Sequence, residues 1–212
     1  MKTLFLVLVC STLLTRGAVA DAQVNQSNPQ ALIETATQEV LDEVRVRAIE
    51  PGDIARIKDI VNRYILPYAD LHRTTQLAMG RHWKTATSAQ QEQVAEQFKM
   101  LLIHTYSGAI ALLRPDQRIE YPPSRILPTD TDAVVRTIAM SNGQPVEIDY
   151  RLYRTPDGWR LYDLNVLGAW LIQTYRQQFN EKIQQVGVEG LIQSLTARNQ
   201  QLTSAEQQRV SP

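Results

Sequence analysis

The sequence predicts an α+β domain laid out in blocks: helices first, a meander of about four curved antiparallel strands next, and helices again at the end. Three observations predict it. From Leu32 to Leu112 apolar residues recur about every fourth position. From Arg118 to Val166 the period falls to two, punctuated by Asn142-Gly143 and Pro156-Asp157-Gly158. Helical spacing then returns with Leu171, Ile172, Tyr175 and Phe179.

The chain opens with a different kind of segment. Lys2 precedes a run of eleven almost wholly apolar residues, Leu4 to Leu14, and Ala18-Val19-Ala20 has the small-x-small form of a signal-peptidase site. Spanning a bilayer takes about 20 apolar residues, so residues 1–20 are expected to be a signal peptide that exports the chain to the periplasm. The only cysteine, Cys10, lies in this leader, behind Val9 rather than the small residue a lipidation signal places there. The exported chain then has no thiol for disulfide, metal or nucleophile. Residues 21–30 read as a flexible N-terminus, 31–203 as a single domain and 204–212 as a flexible tail.

Asn28-Pro29 reads as a helix cap followed by proline at the first helical position. Leu32, Ala36, Val40, Val44 and Ala48 then mark one helix face. Asp53 caps a second helix with Ile57, Val61 and Tyr64 on its apolar stripe, and Pro67 is expected to end or kink it. Ser88 and Gln91 form a capping box that opens the longest helix, carrying Val94, Phe98, Leu101 and Leu102, which Pro115 stops.

Pro122 and Pro123 require any strand over Arg118–Leu127 to be an edge strand or bent. Val134–Met140 is the next strand. Val146, Ile148, Tyr150 and Leu152 alternate with Glu147, Asp149, Arg151 and Tyr153, as a half-buried antiparallel strand does. The strand from Trp159 is expected to turn Tyr162, Leu164 and Val166 inward. After Phe179, Val186-Gly187-Val188-Glu189-Gly190 interrupts the last helical pattern, and a short helix runs through Leu191, Leu195 and Leu202.

Charge excludes some functions. The 22 basic and 22 acidic residues become 20 and 22 once the leader is removed, a net of −2. No clustered Lys and Arg offer a nucleic-acid footprint or a polybasic lipid-surface patch. His72, His82 and His104 lack the spacing and acidic partners of a zinc site. Asp70 and His72 are the only pair that suggests an oriented base, yet residues two apart on a helix point in different directions. No Gly-rich phosphate loop or nucleophile elbow is present, so the chain is expected to be no enzyme and to hold no cofactor. Periodicity leaves open whether the apolar interior is solid or hollow.

Ile65-Leu66-Pro67-Tyr68-Ala69-Asp70, then Leu77-Ala78-Met79-Gly80-Arg81-His82-Trp83, Thr85-Ala86-Thr87, Gln90, Phe98, Leu101-Leu102 and Thr105-Tyr106 follow one another in a distinctive order. Gly158-Trp159, Tyr162-Asp163, Gly168, Tyr175-Arg176, Phe179, Gly187 and Gly190-Leu191-Ile192 extend it. Over roughly Gln30 to Asn199 this set resembles the MlaC family, related to toluene-tolerance proteins. The resemblance implies a periplasmic carrier of glycerophospholipid that maintains outer-membrane lipid asymmetry. It implies acyl chains in an apolar cavity between the curved sheet and the helices, with the head group outside. It also implies two partners: an outer-membrane lipoprotein associated with a porin, and an inner-membrane ABC transporter bearing an MCE-domain protein.

On that resemblance the lipid-contacting residues are expected to be Tyr68, Leu71, Trp83, Phe98, Leu101, Leu102, Tyr106, Ile138, Val146, Ile148, Tyr150, Leu152, Tyr162, Leu164, Val166, Trp170, Leu171 and Tyr175. Gly168-Ala169-Trp170 departs from the family's Gly-Val-Ser. Trp170 would narrow the cavity if turned inward, or belong to a docking surface if turned outward. The alternative function is a periplasmic adaptor with a solid core that docks on membrane complexes without a ligand.

Overall fold

A computed structural model describes residues 27–210 except 51, 112, 115, 142, 143 and 167, and all their side chains except those of 141, 209 and 210. The expected signal peptide with Cys10, the expected turn at Asn142-Gly143, Leu112, Pro115 and the last two residues lie outside the described residues. Within them, no helix is long and apolar enough to cross a membrane.

Helix α1 (Pro29–Val46) begins as its sequence dictates: the Asn28 side chain accepts hydrogen bonds from the Gln30 and Ala31 amides at 2.9 and 3.2 Å. Asp53 likewise caps α2 (Ile54–Ile60) through the Arg56 amide at 3.0 Å. The expected distortion near Pro67 is larger than one kink. The chain loosens into a π-helical turn over Val61–Ile65 and then tightens into a 3₁₀ turn over Leu66–Tyr68. Asp70 caps α3 (Leu71–Met79), and Gly80, at φ +57°, turns the chain into a 3₁₀ segment, Gly80–Thr85.

Helix α4 (Ser88–Ala111) does open with a capping box, but one residue earlier than expected. The Gln90 amide donates to Thr87 Oγ1 at 3.2 Å and the Thr87 amide to Gln90 Oε1 at 3.1 Å. Gln91 instead reaches back to the carbonyls of Trp83 and Ala86 at 2.9 and 3.3 Å, tying the preceding turn to the helix.

The antiparallel sheet has the order β1-β2-β3-β4-β5, with two short edges. Its strands are β1 (Ile119–Glu120), β2 (Asp132–Ser141), β3 (Gln144–Thr155), β4 (Gly158–Val166) and β5 (Ala169–Trp170). The edge strand β1 ends one residue before the two prolines, Pro122 and Pro123. Leu152 faces Leu161 and Tyr150 faces Leu164, with a bulge between. The extra residue reverses the alternation, so Leu161 and Leu164 share one face of β4 despite being three positions apart.

Helix α5 (Leu171–Val210) is broken at Gly187, whose φ of +71° and ψ of −180° are not helical. Gly190 is required beside it, because a Cβ there would lie 2.4 Å from a methyl of Val186. The helix continues to Val210, where the sequence suggests a loose tail after Thr203. Polar contacts to α4 hold it: Asn199 donates to the Gln97 carbonyl at 2.9 Å, and buried His104 meets the Glu206 carboxylate at 3.0 Å.

Three apolar clusters result. One joins α3, α4 and α5 around Phe98, which lies 4.7 and 5.0 Å from the rings of Tyr175 and Phe179. A second packs Leu32 and Ile33 of α1 on Val135, Leu152, Trp159 and Leu161 of the sheet. A third joins α1, α2 and the π turn to Ile103 of α4.

Candidate functional site

The three clusters do not close on one another. Between them lies a cavity of about 150 Å³, partly open to solvent. Its walls are the π and 3₁₀ turns (Val61, Ile65, Leu66), Ala69, α3 (Leu71, Thr74), α4 (Lys99, Leu102, Ile103, Tyr106, Ile110), β4 (Leu161 to Leu164) and Leu171 of α5. The β4 bulge explains how four consecutive residues reach one space. A π turn often marks a functional position, since its extra residue pushes side chains out of helical phase.

Polar groups in the wall are mostly committed elsewhere. Thr74 donates to the Tyr162 carbonyl at 2.7 Å, and the Tyr162 hydroxyl reaches Asp132 at 3.3 Å on the surface side. Asp163, only 2% exposed, accepts from the amides of Leu164 and Ile172 at 3.0 and 2.9 Å and so holds the start of α5. Its other oxygen meets Arg151 at 3.2 Å. Burial pushes its carboxyl above the usual aspartate range, against the Ile172 amide and Arg151, which favour the charged form. Burial also raises the Tyr106 phenol.

A carboxylate network fastens the π-turn wall to α1. Glu43 is engaged by Arg56, by Arg63 at 3.7 Å and by the Tyr64 hydroxyl at 2.8 Å, and Arg63 also pairs with Asp59. The Tyr64 hydroxyl bond, followed by that of Arg56, holds Glu43 below the usual glutamate range.

Of the residues expected from sequence, Leu71, Leu102, Tyr106, Tyr162, Leu164 and Leu171 line this cavity. Trp83, Phe98, Leu101 and Tyr175 belong to the helical cluster behind it, and Leu152 is fully buried against α1. Tyr68 and Tyr150 pack beside Leu152, their hydroxyls 3.3 Å from Glu39 and Thr137 respectively. Val146, Ile148 and Val166 are half-buried on the inner face, continuing the line of Leu164 past the cavity.

Two expectations need correction. Ile138 faces outward: Val135 and Thr137 are buried, and a period of two puts their neighbour on the opposite face of β2. Trp170 also turns away from the cavity. Its ring lies 3.6 Å from the Arg151 guanidinium, and it borders a separate polar hollow with Gln173, Gln177 and Glu181.

Sequence reasoning missed Val61, Ile65, Ile103, Ile110 and Lys99. Helical spacing held the signal for the last three, since 99, 102, 103, 106 and 110 lie on one face of α4. The Asp70–His72 pair does not form. Asp70 accepts from the Arg73 amide at 2.8 Å and from the Tyr153 hydroxyl, while His72 packs edge-on against Trp83 at 4.8 Å. Among the described residues no three His, Cys, Asp or Glu side chains converge on a metal position.

Against this geometry stand the comparisons with known proteins. The family model described as MlaC protein matches residues 34–197. A curated relative from Haemophilus influenzae, an intermembrane phospholipid transport system binding protein, is 20% identical over 195 residues, covering 90% of this chain and 88% of its own length. A solved phospholipid-binding protein from Ralstonia solanacearum, in complex with a phospholipid, superposes with a TM-score of 0.78 at 44% identity, over 83% of this chain and 99% of that one.

Proposed function

The chain belongs to the MlaC family, and from that premise we propose that it carries a glycerophospholipid between the outer and inner membranes, with acyl tails in the cavity under β4 and the head group in water. The carrying observation is a cavity walled almost wholly by apolar side chains where three clusters fail to meet. A ligand-free adaptor with a solid core would leave no such void.

Transport of this kind answers a large penalty. Exposing acyl chains to water costs ~0.8 kcal/mol per methylene, so two tails of ~15 methylenes each would cost ~24 kcal/mol. An apolar lining removes that penalty without any charged ligand group. Hydrocarbon is solvated about equally well by such a lining and by a bilayer, so transfer is close to neutral and direction comes from partners. Those partners are an outer-membrane lipoprotein–porin complex and an inner-membrane ABC transporter with an MCE-domain protein. The chain works in the periplasm after loss of residues 1–20 and catalyses no reaction.

The cavity is smaller than its cargo. A void of about 150 Å³ matches the engineered apolar cavities that accept one benzene, which is room for a short length of one tail. Loading therefore parts the walls. Tails then extend from Leu164 along Val166, Ile148 and Val146, whose half-buried apolar side chains lie ready on the same face. Lipid contact thus involves the cavity residues and this strip, whereas Phe98, Trp83 and Tyr175 support them from behind.

Native mass spectrometry of the purified protein, with solvent extraction of the same sample, tests this. The expected result is a mass step of one phospholipid and the same lipid in the extract. A lipid-free mass together with an empty extract rejects the carrier.

A further inference from the structure

We propose that Lys99 is the phosphate-binding residue of this site, its ammonium meeting the lipid's phosphodiester at the cavity rim. This deepens the carrier function and rests on it.

Among the described residues that line the cavity, two carry charge, Lys99 and Asp163. Asp163 is buried, paired with Arg151 and bonded to two amides, so it is engaged in the fold and repels an anion. Lys99 differs in charge sign and in exposure. It lies on the same face of α4 as Leu102, Ile103 and Tyr106, so its methylene stem continues the apolar wall. Its side chain is 26% exposed, which fits a stem laid along apolar surface with the charged end turned to water.

Its ion-pair partner among the described residues is Glu96 at 2.5 Å, one turn back on the same helix and 56% exposed. An exposed pair of this kind contributes little and exchanges readily. A phosphodiester anchored by its own tails at the rim competes for the ammonium with a local advantage that free anions lack. The Thr74 and Tyr162 hydroxyls are already bonded within the protein, and the Tyr106 phenol, the other polar group of the wall, carries no charge to attract an anion. The geometry thus offers the head group a single cation, one that also fixes how deep the tails sit.

The test uses the full delipidated protein and two probes with the same fluorescent acyl tail, a phosphatidylethanolamine and a diacylglycerol that lacks the phosphate. Lys99→Gln should weaken phospholipid binding roughly five- to ten-fold, the worth of one half-exposed charged contact. Diacylglycerol binding should stay unchanged, and Lys99→Arg should restore the phospholipid. Glu96→Gln should tighten phospholipid binding by about two-fold, since it removes a competitor worth a few tenths of a kcal/mol. Millimolar inorganic phosphate should leave the lipid in place.

Equal loss of both probes in Lys99→Gln would make the residue a packing element and overturn the assignment. Unchanged phospholipid affinity would do the same, and displacement of lipid by phosphate alone would mark a free-anion site instead. A parent protein that binds neither probe overturns the carrier function, and this assignment with it. A parent that binds both probes while Lys99→Gln discriminates nothing overturns the assignment alone.

Discussion

Filling the cavity should make this protein more stable and unable to do its work. Ala69 lines the void from the end of the 3₁₀ turn, with an extended backbone at φ −102° and ψ 141° that suits an aromatic residue. In Ala69→Phe the new ring is the benzene that a cavity of this size accepts. At ~24 cal/mol per Å³, the whole 150 Å³ represents a ceiling of ~3–4 kcal/mol. About half of that applies to a cavity partly open to solvent, and ordering the ring takes back up to ~1 kcal/mol. The net gain is then ~1 kcal/mol, or ~2–4 °C in Tm for a chain this long. Thermal melts of delipidated parent and variant measure the gain, and titration with a fluorescent-tailed phospholipid should show at least a ~10-fold loss of affinity. A variant that melts lower yet binds lipid as the parent does would refute the reasoning, because neither the void nor its use would be where the lining residues put them.

Glu43→Gln should loosen the wall that α1 holds, speeding lipid uptake and lowering stability by ~1–2 kcal/mol, since the nearly buried Arg56 loses its carboxylate. Glu43 titrates below its ordinary 4.5 in the folded protein, so its contribution is complete above that pH and is lost as pH falls through the folded value; urea melts at several pH values should show the gap between parent and variant closing in acid. Asp163→Ala should cost ~2–3 kcal/mol by freeing the Leu164 and Ile172 amides and stranding Arg151. Asp163 itself titrates above 3.8, so its contribution is greatest below that pH and declines as pH rises through the folded value, and Asp163→Asn should gain on the parent toward neutrality in the same urea melts. Phe98→Ala removes a fully buried ring outside the cavity, so chemical denaturation should show a loss of ~3–5 kcal/mol while the folded fraction still binds lipid.

Helix starts and strand order were legible because each is set by near neighbours. Asn28 and Asp53 cap helices through amides two or three residues on, and the alternation from Val146 to Leu152 needs only a sheet to face. Less of the cavity could be read. An apolar stripe states that a side chain is covered but not by what, so Phe98 and Leu102, four apart on one helix, read alike though one is packed solid and the other borders a void. The β4 bulge reverses an alternation the sequence leaves intact, and the π turn displaces Val61 and Ile65 from the phase that a regular helix gives them. Which way Trp170 turns could not be read, because a lone aromatic after a tight Gly turn carries no periodicity to place it on a face. Its ring face takes the Arg151 guanidinium, outside the lining of the cavity.

A carrier must bind its cargo and also give it up, and the small cavity bears on both. Were the interior a rigid hollow sized for two tails, the empty protein would expose its whole apolar wall, and its affinity would carry the full ~24 kcal/mol that water levies on the chains. A wall that closes on release recovers apolar contact that the departing tails had supplied. The free energy of opening is then subtracted from affinity on loading and returned on unloading. The segment from Ile54 to Tyr68 supplies Val61, Ile65 and Leu66 to the cavity wall. Three kinds of helical turn follow one another there, none long enough to be stable alone, and side-chain ties to α1 from Arg56, Arg63, Tyr64 and Tyr68 hold them. These ties lie apart from the α3–α4–α5 cluster, so loosening them, as in Glu43→Gln, is expected to leave that cluster packed.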